Sequence, residues 1–237
     1  MLEFLQTLSW AAVFQIIMID ILLGGDNAVV IALACRNLPA KQRMQGVLWG
    51  TAGAIILRVV LIAFALTLLA IPYLKIVGAL LLAWVAIRLL IPEEGEHGDI
   101  KSGVSIMSAI KTIIIADFVM SLDNVIAIAG AAQMADPSHQ LGLVIFGLLV
   151  SIPIIVWGST IVLKMIDRFP VIVTLGAALL GWIAGGLMVT DIAYTERFGE
   201  PSNTVFYGAH IAGAVLIVVI GKWMASRKTK KEATPAA

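Results

Sequence analysis

Two stretches of this 237-residue chain read almost alike: DILLGGDNAVVIALA, from Asp20 to Ala34, and DFVMSLDNVIAIAGA, from Asp117 to Ala131. In each, an Asp is followed six residues later by Asp-Asn, and each set sits inside a long apolar run. A carboxylate within a membrane span is costly and marks an ion or substrate pathway by default. Asp20, Asp26, Asp117 and Asp123, with Asn27 and Asn124 beside them, are therefore the candidate site. The rest of the chain reads as a frame that brings the two stretches together.

The frame is a bilayer protein. Hydrophobic residues make up 60% of the chain, charged residues 13%, and the mean hydropathy is +1.01, against about 25% charged in a soluble domain. Runs of the ~20 apolar residues needed to cross a bilayer occur at Leu8–Ala34, Gln45–Ala70, Tyr73–Ile91, Ile106–Ala132, Leu141–Lys164, Val171–Thr190 and Val205–Trp223. The expected fold is all-α and polytopic, with seven transmembrane helices in one transporter domain over 1–225 and a basic, disordered cytoplasmic tail over 226–237. The lone Cys35 excludes an intrachain disulfide and reads as a small boundary residue. Met1–Trp10 has no positive n-region and carries Glu3, so no cleavable signal is expected. Nothing in the charge pattern points to nucleic acid.

Charge asymmetry sets orientation. With the N-terminus outside, 13 of the 16 Lys and Arg fall on inner segments, Lys75 and Arg197 fall outside, and Arg58 lies within a span. The expectation is N-out and C-in, multi-pass, in a bacterial-type plasma membrane.

A shift of 97 residues superposes Asp20, Asp26 and Asn27 on Asp117, Asp123 and Asn124, and Gly50 on Gly147. A shift of 98 superposes GALLLAW (Gly78–Trp84) on GAALLGW (Gly176–Trp182). Three successive spans repeat, as half-repeats 8–92 and 105–190, with an unpaired helix at 205–223. Because three is odd, the second copy enters from the opposite side. Such inverted repeats place a transporter's site near mid-membrane, where they meet.

In a regular helix Asp20 and Asn27 share a face about 10 Å apart along the axis, and Asp26 points away. Gly24-Gly25 precedes Asp26, so unwinding there would re-aim its carboxylate and expose carbonyls. The second copy has Ser121-Leu122 at that place, where a break is less favoured. Carboxylate, amide and carbonyl oxygens are hard donors suited to Mg²⁺, Ca²⁺ and Mn²⁺. Four ionised carboxylates repel, so a dication or protons must neutralise them, which suggests metal–proton exchange. Met120, three residues from both Asp117 and Asp123, reads either as a thioether neighbour of the site or as packing. Arg58, aligned with Ile155, reads as a counter-ion for the empty site or as a snorkelling residue. His97 and His139 are scattered, His210 is a packing residue or a proton relay, and Asp191 an outer-surface interface residue.

The motifs GGDNAVVIALA and SLDNVIAIAGA, in a seven-span chain of this length, resemble the TerC family, and within it the small YjbE-like branch, over about Leu8–Trp223. The resemblance implies a manganese exporter, with Asp20, Asp26, Asp117 and Asp123 at the ion. From the residues alone, the expectation is a divalent-cation transporter, not an enzyme and without a resident cofactor, and capable of homo-oligomerising. Export of Ca²⁺ or a small organic cation or amino acid remains an alternative, as does an intramembrane aspartyl protease suggested by Gly24-Gly25-Asp26. Four symmetric Asp exceed the two that such a protease needs.

Overall fold

The computed structural model describes residues 18, 25–64, 68, 71–91, 105–132 and 140–232. All regular structure among them is helical: α1 Gly25–Cys35, α2 Ala40–Ala63, α3 Leu74–Leu90, α4 Ile106–Ala132, α5 Gln140–Arg168, α6 Val171–Val189, α7 Ile192–Phe198 and α8 Asn203–Glu232. Among the described residues α2, α5, α6 and α8 are long and apolar enough to cross a membrane. α3 has 17 residues, with Lys75 and Arg88 near its ends, and α4 has 27. Pro39 stands at the N-cap of α2 and Pro170 at that of α6, while Pro153 lies inside α5.

Two expected features are corrected. The tail is helical through Glu232 rather than unstructured from 226, because Lys, Arg and Ala are good helix formers and the Arg227 guanidinium lies 3.9 Å over the Trp223 ring. Gly25 is helical rather than unwound; Gly24 lies outside the described residues. Nor is α4 broken at Ser121-Leu122, as the missing glycines imply.

Glycine sets how closely the helices approach, the small-residue packing used where lipid supplies no hydrophobic drive. A Cβ on Gly50 or Gly53 of α2 would strike Ile113 or Ile114 of α4, and one on Gly78 of α3 would lie 3.0 Å from Val119. Gly176 of α6 packs against Val29 and Leu33 of α1, and Gly158 of α5 against Ala28. Gly181 and Gly185 of α6 meet Gly213 and Ala209 of α8 backbone to backbone. α4 thus lies against α2 and α3, and α1 against α5 and α6. Large apolar side chains face outward, among them Trp49, Ile56, Trp157, Leu175 and Val219, as a lipid-facing surface requires.

Asp191, read as an outer-surface interface residue, is fully buried within the chain. Its carboxylate caps two helices. It accepts from the Ala193 amide of α7 at 2.8 Å, and from the amides of Tyr73, Lys75 and Ile76 at the start of α3 at 2.9, 3.0 and 3.3 Å. Tyr73 sits at φ 67°, a conformation that costs a non-glycine residue energy, and the Asp191 bond helps hold it there. The junction between α6 and α7 is thereby tied to the entry of α3.

Candidate ion site at the meeting of the two repeats

Close packing of α2 on α4 brings Arg58 opposite Asp117. Nη2 of Arg58 lies 2.6 Å from Oδ1 of Asp117, with 3% and 5% of the two side chains exposed. Arg58 Nε donates to Ser121 Oγ at 3.3 Å, and that hydroxyl donates to Asp117 Oδ2 at 3.2 Å. Arg58 is therefore buried in an ion pair with Asp117 and does not snorkel. Ser121, which stands where Gly24 stands in the first copy, completes a buried triad that the repeat alone did not reveal.

Asn27 of α1 faces this triad across a cavity of about 10 Å³, lined also by Asp117 and Met120, near the least volume that holds one water. Both polar atoms of the Asn27 side chain are buried and have no hydrogen-bond partner among the described residues. An unpaired buried amide costs on the order of 1–3 kcal/mol, so packing alone does not explain an Asn here. Its neighbour Asp26 accepts from the Asn27 backbone N–H at 2.8 Å and lies close enough to Arg58 and Asp117 to feel both charges.

Met120 also borders a second cavity, of about 200 Å³, shared by Asp26, Asn124 and His210. Asp26 and Asn27 from the first copy thus meet Asp117 and Asn124 from the second in two cavities that share Met120. Asp20 lies outside the described residues; Asp123 lies on α4, with its side chain outside them. Among the described residues, no three His, Cys, Asp or Glu are grouped to hold a metal. Two carboxylates, two amides and one buried arginine make a polar centre within a mostly apolar bundle, with the arginine neutralising one of the acids.

The described pattern of the "Integral membrane protein TerC family" matches residues 5–231. The chain is 45% identical over 176 residues to "Uncharacterized membrane protein YjbE" of Bacillus subtilis, covering 74% of this chain and 78% of that one. It is 25% identical over 237 residues to "Uncharacterized membrane protein YceF" of the same organism, covering 96% and 88%. It is also 25% identical over 189 residues to "UPF0053 inner membrane protein YgdQ" of Escherichia coli K12, covering 73% and 77%. No solved structure matches the chain significantly.

Proposed function

Because the chain belongs to the TerC family of integral membrane proteins, we propose that it moves a divalent metal cation across the membrane, with Mn²⁺ efflux from the cytoplasm as its task. The observation that carries this reading is the meeting of Asp26-Asn27 with Asp117 and Asn124 around adjoining cavities, with an Asn27 amide that has no partner among the described residues. Oxygen donors in that number suit a hard dication. The preference for Mn²⁺ and the outward direction rest on the family resemblance.

In this reading the spans form two inverted half-repeats of three plus α8, the N-terminus is outside, and Asp20 and Asp123 complete the ligand set. Each half-repeat gates one side, and protons replace the departing metal on the carboxylates. Arg58 supplies positive charge to Asp117 while the ion is absent. The same pair counts against an intramembrane aspartyl protease, whose two acids must share a proton, whereas Asp117 is held by an arginine.

Purified protein in proteoliposomes tests the proposal against a panel of Mn²⁺, Ca²⁺, Mg²⁺ and organic cations. The expected result is Mn²⁺ flux driven by an opposing pH gradient and abolished by Asp26→Ala and by Asp123→Ala, with both variants still inserted. Flux that ignores the pH gradient at fixed voltage refutes the coupling. Full Mn²⁺ flux in either variant removes that residue from the site, and absence of flux for every divalent ion refutes the function.

A further inference from the structure

His210 lies on α8, the helix outside the repeat, and borders the same cavity as Asp26, Asn124 and Met120. Its ring is held on several sides. It packs tilted against Trp182 and Phe206, with ring centroids 4.8 and 4.3 Å away. Nδ1 lies 2.7 Å from the Phe206 carbonyl oxygen. That contact fixes the tautomer of the neutral ring: Nδ1 carries the hydrogen and donates, leaving the lone pair on Nε2. A histidine whose second nitrogen donates to a backbone carbonyl is oriented as metal-binding histidines are. The other end of the ring occupies space that only a glycine leaves, since a Cβ on Gly186 would fall on Nε2 and Cε1. Gly186 lines this cavity as well.

The cavity therefore offers oxygen from Asp26 and Asn124, sulfur from Met120 and nitrogen from His210. At about 200 Å³ it has room for a dication that keeps several waters, each taking roughly 30 Å³. Mg²⁺ and Ca²⁺ keep to oxygen; carboxylate and water suit Mn²⁺ as they suit those two, and imidazole, the donor of Zn, Cu, Fe and Ni sites, is the one group here that a transition dication accepts more readily than Ca²⁺ does. We propose that Nε2 of His210 binds the transported ion in this cavity and selects a transition dication over Mg²⁺ and Ca²⁺. The inference rests on the transport reading above and adds to it the residue that discriminates.

The chain has three histidines, His97, His139 and His210, which makes a clean test possible. The full chain, purified without a histidine tag and carrying His97→Gln and His139→Gln, keeps only His210. Mn²⁺ bound to this variant is read by pulsed electron paramagnetic resonance. The expected result is the ¹⁴N modulation of a coordinated imidazole, altered in the predicted isotopic sense when the histidine is ¹⁵N-labelled. In liposomes His210→Gln is expected to lower the Mn²⁺ over Ca²⁺ preference about tenfold, the lower end of what oriented ligand shells contribute to metal affinity. Bound Mn²⁺ without label-sensitive modulation overturns the assignment of His210 and leaves the carboxylate site standing. Protein that binds no Mn²⁺ overturns both.

Discussion

Arg58→Met is the most informative single change, because it removes one member of a buried ion pair and leaves the volume nearly filled. Asp117 would keep only the Ser121 hydroxyl among the partners described above, in a setting where 5% of its side chain is exposed. Breaking a buried pair from one side costs about 3–5 kcal/mol, since the remaining charge is stranded. At about 2–4 °C per kcal/mol for a chain of 150–250 residues, Tm in detergent should fall by about 6–20 °C, read by thermal unfolding monitored through fluorescence. Adding Asp117→Leu should recover most of the loss, because replacing both charges by apolar groups is about neutral or stabilising. Excess Mn²⁺ should also recover part of it in the single variant, by about 2.7 kcal/mol at a hundred times Kd, as the dication takes the place of the guanidinium. An Arg58→Met protein that melts with the wild type, or a loss that Asp117→Leu does not relieve, refutes the role assigned to the pair.

Asn27→Leu should raise Tm, corresponding to about 1–3 kcal/mol for removing an unpaired amide, while abolishing Mn²⁺ flux; a variant that transports normally shows that the amide is not used. Asp191→Ala strands the amides of Tyr73, Lys75, Ile76 and Ala193. Because hydrogen bonds to a charged group contribute about 1.5–3 kcal/mol each, the four together put the loss at about 6 kcal/mol or more and the fall in Tm at about 12 °C or more, at about 2–4 °C for each kcal/mol; an unchanged melting curve would mean that water replaces the carboxylate.

The helices were legible because apolar runs and prolines are local signals: α4 occupies Ile106–Ala132, the span read from sequence, and α6 ends one residue early. The meeting of the two Asp-Asn motifs was foreshadowed by the repeat. For the Arg58–Asp117–Ser121 triad the sequence offered Arg58 as a counter-ion but not which acid it pairs with, because Arg58 has Ile155 as its counterpart and its partner lies 59 positions away. The capping role of Asp191 was hidden for a related reason. Three of its four partners are backbone amides of another helix, and amides are the same in every sequence. His210 does pack, as one of its two readings had it, against Trp182 and Phe206; the cavity it borders has no signal in the sequence.

The seam where Gly181 and Gly185 touch Ala209 and Gly213 has a mechanical meaning. Main chains in direct contact have no compliant side chains between them, and close-packed interiors switch between discrete arrangements instead of deforming smoothly. α6 and α8 therefore travel as one slab, with the imidazole riding on it at a constant offset from Gly186. In the transport reading, the larger cavity opens by α1 and α4 moving against that slab, so a crosslink between α6 and α8 is expected to leave flux intact and one between α1 and α6 to stop it.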